Sequence, residues 1–321
     1  MQVHIVNEAE GGQTLEKYVK KILATAPLSF IYKLFRKKDV KVNGHWQDKK
    51  YIISEGEEVS IYITDSQLEE FKRQVEFKEL EDISSWIIYE DNNILLINKP
   101  RGVLVQKDES DSNALDEMVI SYLVNKGEYN PSRDLAFTPA PAHRIDRNTA
   151  GIVIFGKNIA TLRSLSQVMQ DKDKVSKTYL TLVKGNIDKR IVIDKPLLKN
   201  TKTGLVSVSN DGKEAKTIVN PIKECGDFSL VAATLLTGRT HQIRVHLSSV
   251  DHPIIGDNKY GDYSLNKEIE KKYGFSNQFL VAYKLDFVKL DEPLKYLSGK
   301  SFKIDLPSEM NDLLSKIEGD I

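Results

Sequence analysis

Only one cysteine, Cys225, occurs in the 321 residues, so no disulfide can form within the chain. Covalent staples are excluded as a source of stability, and such usage fits a reducing, cytoplasmic setting. Long apolar runs are missing as well. No segment approaches the roughly 18 to 20 uninterrupted apolar residues of a membrane span, and Met1-Gln2-Val3-His4-Ile5 lacks the charged and apolar regions of a signal peptide. A membrane partner is therefore not expected. Nor is there excess charge of either sign: 46 Lys and Arg balance 46 Asp and Glu, which argues against coating nucleic acid through bulk electrostatics. What the composition does provide is 40% hydrophobic residues, enough for a folded core, over a length suited to about two domains.

Charge is distributed unevenly. Residues 1–64 hold ten basic against eight acidic side chains, 65–82 three against seven, and 83–321 thirty-three against thirty-one. This predicts two mildly basic domains, 1–64 and 83–321, joined by an acidic linker over 65–82 that shows neither an apolar stripe nor strand alternation and is partly helical. Before the linker, Leu15, Tyr18, Val19, Ile22 and Leu23 recur at helical spacing. A second short helix is predicted over 29–37 with Ser29 as its cap, followed by a strand and a tight turn at Val40-Lys41-Val42-Asn43-Gly44. Lys33, Arg36, Lys37, Lys38 and Lys41 crowd this corner with only Asp39 opposing them. Taken alone, such a cluster is a solvated face. The order helix, basic helix, turn and closing strand over 57–62 resembles the S4 RNA-binding domain, which implies that these five cations meet the phosphates of structured RNA.

From residue 85 the pattern changes to short strands with interspersed helices. Strands are predicted at 86–89, 94–98, 152–155, 178–183, 228–235 and 242–247, and helices at 112–123 and 159–170. The order lacks a strict βαβ rhythm and favours an α+β fold on a mixed, largely antiparallel sheet with flanking helices. The most informative segment is His143-Arg144-Ile145-Asp146-Arg147-Asn148-Thr149-Ala150-Gly151, which runs straight into the apolar stretch 152–155. Guanidinium groups within about 4 to 6 Å of a carboxylate hold it ionised, which suits nucleophilic or general-base work. An isolated Asp-Arg pair in a turn would be structural.

The segment closely resembles the HRLDxxTSG signature of the RluA family of pseudouridine synthases, and four more blocks follow the family's order. They are Asn98-Lys99-Pro100-Arg101-Gly102 with Val103 to Val105, Lys177-Thr178-Tyr179 through Gly185, Thr237-Gly238-Arg239-Thr240-His241-Gln242-Ile243-Arg244-Val245-His246, and His252-Pro253-Ile254-Ile255-Gly256-Asp257 with Tyr260-Gly261 and Leu280 to Leu285. Membership implies isomerisation of uridine to pseudouridine in RNA. It makes Asp146 the catalytic carboxylate, either by forming a covalent adduct or by abstracting a sugar proton. It also makes Arg239 the arginine that pairs with this Asp and Tyr179 the aromatic on which the uracil packs, returning roughly 1 to 3 kcal/mol of the unstacking cost. Arg144 and Arg147 are left to contact phosphates or brace the loop, and Arg244, placed on a predicted strand, ranks below Arg239.

Departures from the common pattern, Ala150 for Ser, Gln106 for His and Val281 within "LHA", touch none of these three residues. The S4-like module and Ala26-Pro27-Leu28-Ser29 through Lys33 look most like the RluC branch, implying large-subunit ribosomal RNA as substrate. A tRNA-modifying relative and a catalytically silent RNA-binding factor remain alternatives. No cofactor or metal is expected: Gly151 to Lys157 spells a Walker-like G-x4-G-K around a β-branched strand, and His241 and His246 are read as facing opposite ways. A monomer is expected.

Overall fold

The computed structural model describes residues 1–72, 79–108 and 113–320. The chain opens with β1 (Gln2–Ile5), after which the Thr14 hydroxyl accepts the Lys17 N–H at 3.4 Å and starts α1 (Leu15–Ile22), with Leu15, Tyr18, Val19 and Ile22 turned inward as the periodicity predicts. The second helix, α2 (Leu28–Lys37), begins one residue before the predicted start. Pro27, not Ser29, precedes its first turn, and it buries Ile31 and Leu34. Asn43 (φ 49°) and Gly44 (φ 77°) turn β2 (Val40–Val42) into β3 (His45–Trp46), a two-residue hairpin whose positive φ values these residues tolerate. With β4 (Glu58–Ile61) these strands form a four-stranded sheet in the order β1-β4-β2-β3.

Residues 65–71, at the start of the stretch read as a partly helical linker, form α3 (Asp65–Phe71). A capping box between Thr64 and Gln67 starts this helix, and Leu68 and Phe71 pack on the small core. The linker residues 73–78 and Ser112, where a helix was predicted to begin, lie outside the described residues.

Among the described residues, three side-chain hydrogen bonds link the small core to the C-terminal part of the chain. The Glu10 carboxylate, 1% exposed, accepts the Ala136 N–H at 2.8 Å, Asn7 donates to Asp134 at 2.7 Å, and Arg163 donates to the Gly12 carbonyl at 2.9 Å. Ala136 itself is buried in that core.

The larger part contains β5 (Ile87–Glu90), β6 (Ile94–Lys99), α4 (Leu115–Asn125), β7 (Ala140–Pro141), β8 (Ala150–Gly156), α5 (Ile159–Val168), β9 (Val175–Lys184) and β10 (Ile191–Asp194). It continues through β11 (Leu197–Lys199), β12 (Val206–Val208), β13 (Lys216–Cys225), β14 (Phe228–Leu235), α6 (Gln242–Ser248), α7 (Tyr263–Tyr273), β15 (Leu280–Phe287), β16 (Ser301–Lys303) and α8 (Ser308–Gly319). Ten strands form one sheet with the path β10-β13-β14-β9-β15-β8-β6-β5, β16 on β15 and β7 on β8. Among the described residues only the β15–β8 pairing in this sheet is parallel, so the sheet is mixed and largely antiparallel, as the sequence predicts.

Every residue of β8 is buried, which is why it reads as a continuous apolar run rather than an alternation. Its second residue, Gly151, has φ 122° and pairs with Ala282, and a Cβ there would lie 2.3 Å from the Ala282 carbonyl oxygen. Only glycine lets β15 come this close at the point where the polar loop ends. Gly151→Ala is expected to cost about 3 kcal/mol of stability or to prevent folding, read as a lower urea midpoint at unchanged slope.

One predicted strand is a helix. Residues 242–247 alternate polar and apolar, but they form α6, in which Gln242 through Leu247 are all buried. A helix buried all round has no solvent face and hence no amphipathic period. Its polar members are matched individually: Gln242 donates to the Lys216 carbonyl, and His246 uses Nδ1 on Thr217 and Nε2 on the Lys195 carbonyl.

Candidate active site

The loop between β7 and β8 carries Asp146 on the wall of a cleft of about 1060 Å³. The loop is held from below by the turn after β6. Lys99 is fully buried, and its Nζ donates to the carbonyls of Pro100 (2.9 Å), Val103 (2.8 Å) and Arg147 (3.0 Å), using all three ammonium protons. Burial pushes the Lys99 pKa down to about 7, against which the Asp146 charge favours the ammonium. The Gly102 N–H also donates to the Arg147 carbonyl, and Arg147 Nε returns a bond to the Gly102 carbonyl, both at 2.9 Å. At the far end, Gln278 donates to Thr149 at 2.7 Å. Asp146 thus projects from a loop whose backbone is anchored just after it at Arg147 and whose Thr149 side chain is held by Gln278.

The two arginines that flank Asp146 do not touch its carboxylate. Arg147 braces the Gly102 turn, and Arg144 reaches Gln106 at 3.5 Å. The partner is Arg244, from the first turn of α6: its Nη1 donates to Asp146 Oδ2 at 2.9 Å. The same guanidinium makes a bidentate pair with Asp257, Nε to Oδ2 at 2.7 Å and Nη2 to Oδ1 at 2.8 Å. Asp257 also accepts the N–H groups of Lys259 and Tyr260. Burial works against both charges, but Asp257 and then Asp146 raise the Arg244 pKa, while Arg244 holds the Asp257 carboxyl below its ordinary range. Arg244 is therefore a fork clamped at its base and aimed by its tip.

The pairing expected of Arg239 is corrected accordingly. Arg239 lines the same cleft, yet its Nε donates to the Glu214 carbonyl at 2.9 Å and its N–H to Gln242, because it precedes α6 and lies outside the helix turn that faces Asp146. The ranking of Arg244 below it assumed a strand, whereas helical geometry delivers the fifth residue after Arg239 to the carboxylate.

Tyr179, in β9, lines the cleft and is 7% exposed, and burial, then the Asp146 charge, raises its phenol pKa. His143 accepts the Ile154 N–H at 3.4 Å, while burial of the ring and then the Lys177 charge lower its pKa. Cations surround the cleft: Arg144, Arg147, Lys107, Lys172, Lys177 and Lys199 all line it. By contrast, Lys33, Arg36, Lys37 and Lys38 sit exposed at the solvent side of α2 and just after it, with Lys38 over the Trp46 ring (5.2 Å) and Lys41 over Tyr62 (5.0 Å). None of these five lines the cleft.

Sequence reasoning misses the parts played by Lys99 and Asp257, although both lie in the matched blocks. Their function is visible only when the blocks are brought together. Among the described residues no cluster suited to a metal ion occurs, and no helix is long and apolar enough to cross a membrane.

Residues 93–249 match the family described as RNA pseudouridylate synthase. The chain is 33% identical over 307 residues to an RNA pseudouridine synthase of Mycoplasma capricolum, covering 94% of this chain and 96% of that one. It is 31% identical over 293 residues to the ribosomal large subunit pseudouridine synthase C of Escherichia coli K12, covering 89% and 88%. The corresponding protein of Vibrio cholerae is 31% identical over 287 residues, covering 88% and 87%. Among solved structures, human RNA Pseudouridylate Synthase Domain Containing 4 shares the fold with a TM-score of 0.59 at 21% identity, over 73% of this chain and 94% of that one.

Proposed function

The chain belongs to the RNA pseudouridylate synthase family and isomerises uridine in RNA, and from that premise we propose that its substrate is large-subunit ribosomal RNA and that Asp146 is the reacting carboxylate. The observation that carries the chemical half is the Asp146 carboxylate held on one oxygen by Arg244 at 2.9 Å in a cleft lined by cations. Isomerisation breaks the bond from N1 to C1′, turns the uracil and rejoins it through C5. A carboxylate fixed beside the ribose can add to the sugar or take a proton from it, and Tyr179 supplies an apolar wall for the extracted base. The ribosomal half rests on the relatives of like length named for that substrate.

Release of tritium from C5-labelled uridine reports the reaction directly. Purified protein is expected to release it from unmodified, C5-labelled large-subunit ribosomal RNA and not from C5-labelled transfer RNA. Release from transfer RNA alone would replace the substrate.

The N-terminal module is proposed to act as an S4-type phosphate grip through Lys33, Arg36, Lys37, Lys38 and Lys41, aided by Arg144 and Arg147 at the cleft. Deleting the module is a poor test, since Glu10 and Asn7 satisfy the Ala136 N–H and Asp134. Replacing Lys33, Arg36 and Lys37 together by Gln is the clean one. The slope of log binding constant against log salt should fall by about 2 to 3, since each phosphate no longer neutralised removes roughly 0.7 to 0.9 from it. An unchanged slope would remove these residues from the interface.

A further inference from the structure

Tyr260 is hydrogen-bonded to a histidine, His241, that faces Asp146. Its hydroxyl accepts the Val206 N–H at 3.0 Å and lies 2.8 Å from His241 Nδ1, the only other hydrogen-bond partner it has among the described residues. A phenol has one proton to donate. Donating it to Nδ1 makes that nitrogen an acceptor and leaves the ring's own hydrogen on Nε2. In the reverse tautomer the Tyr260 proton would have no acceptor among the described residues.

Nε2 lies 3.8 Å from Asp146 Oδ2, the oxygen that Arg244 holds at 2.9 Å. The groups around the imidazole come from three elements. Asp146 lies on the loop before β8, Arg244 on α6, and Asp257, Lys259 and Tyr260 on the segment before α7. Burial disfavours the imidazolium, Asp146 favours it, Arg244 and Lys259 oppose it, Asp257 favours it, and the balance lowers the pKa, which favours the neutral ring. His241 also holds φ 52° and ψ 21°, a left-handed backbone that a non-glycine residue keeps only where its surroundings fix it. The ring packs tilted against Tyr260, centroids 5.5 Å apart.

We infer that His241 is a positioning residue for Asp146: a neutral Nε2–H donor, its tautomer set by Tyr260, that closes onto Oδ2 when RNA fills the cleft and keeps Oδ1 turned toward the uridine. The inference rests on Asp146 being the reacting carboxylate. The 3.8 Å separation needs less than about 1 Å of closure, which is common between free and substrate-bound sites. A neutral donor orients the carboxylate without adding a second full positive charge, which would make it a weaker nucleophile and base.

Two measurements test this. In long-range 1H–15N correlation spectra of the full-length protein at pH 7, the His241 ring, assigned by its loss in His241→Gln, is expected to carry hydrogen on Nε2 and none on Nδ1, a preference that Tyr260→Phe removes. A ring protonated on Nδ1, or on both nitrogens, overturns the inference whether or not RNA is modified. In single-turnover assays on unmodified ribosomal and transfer RNA, His241→Leu should lose about 10- to 100-fold in maximal rate with half-saturation within about twofold. His241→Gln, whose amide can replace the Nε2–H, should recover to within about threefold of wild type. Equal rates for wild type and His241→Leu, or a Gln variant no better than Leu, would also overturn it. Wild-type protein inactive on every RNA, with the Nε2–H ring in place, overturns the Asp146 assignment and the inference with it, a result distinct from failure of the histidine alone.

Discussion

Asp146→Asn is expected to lower the single-turnover rate of uridine isomerisation by at least about 10⁴-fold while leaving RNA affinity within about threefold, since losing a reacting group removes most of what its partners contribute. The substitution is nearly isosteric. The Asn carbonyl oxygen can still accept from Arg244 Nη1, and Arg244 keeps its two bonds to Asp257. What disappears is the negative charge and, with it, both chemical options open to a carboxylate at the sugar. Stability should stay within about 1 kcal/mol of wild type, because no buried charge is left without a partner. Thermal unfolding, filter binding and tritium release on the same preparation separate these three quantities. A variant that retains activity would make the loop a scaffold and nothing more.

Removing Arg244 has the second large effect, and it divides between folding and chemistry. Arg244→Leu leaves the Asp257 side chain, 1% exposed, with two backbone N–H donors and no counter-charge. Breaking a buried pair from one side costs about 3 to 5 kcal/mol, which is a large fraction of a domain's stability. Arg244→Lys should recover much of this cost, since an ammonium can neutralise Asp257. It cannot span both carboxylates as the planar fork does, so the rate should still fall by about 100-fold. Recovery of stability without recovery of rate distinguishes the two tasks of this side chain.

The pH dependence has a definite sign. Asp257 has a folded-state pKa held below its ordinary value of 3.8, so its contribution is fully present above about pH 4 to 5 and is lost as pH falls through the folded pKa. Wild-type stability should therefore fall in acid. In Arg244→Leu that acid limb should shrink, because the interaction that depressed the pKa has gone. Urea unfolding of both proteins between pH 3 and 7 reads the difference.

Much of this arrangement is legible in the chain because it depends on contiguous residues. The loop bearing Asp146 ends at Gly151, and both the glycine and the fully buried strand after it are written in sequence as G followed by an apolar run. Tyr179 follows from its block in the same way. The arginine assignment fails for a physical reason. Arg239 and Arg244 lie in one short segment, and choosing between them requires knowing that 242–248 is helical. Gln242, Arg244 and His246 mimic the polar half of a strand, yet each is buried and satisfied by a partner remote in sequence: Lys216, Asp257 and Thr217. The flanking arginines mislead in the opposite way. Nearness in sequence to Asp146 suggests that they hold its charge, while the backbone turns Arg147 onto Gly102 and Arg144 toward Gln106. Lys99 is invisible as a functional group because its partners are main-chain carbonyls, which leave no trace in side-chain identity.

Pseudouridine mapping bears most directly on Asp146 and its RNA. Carbodiimide adducts are located by primer extension on total RNA from cells lacking the gene, carrying the wild-type gene, or carrying Asp146→Asn at equal protein level. Defined stops in large-subunit ribosomal RNA should vanish without the gene, return with the wild type and stay absent with the Asn variant. Stops restored by the Asn variant, or an unchanged pattern when the gene is lost, would contradict Asp146 as the reacting carboxylate of an enzyme acting on that RNA.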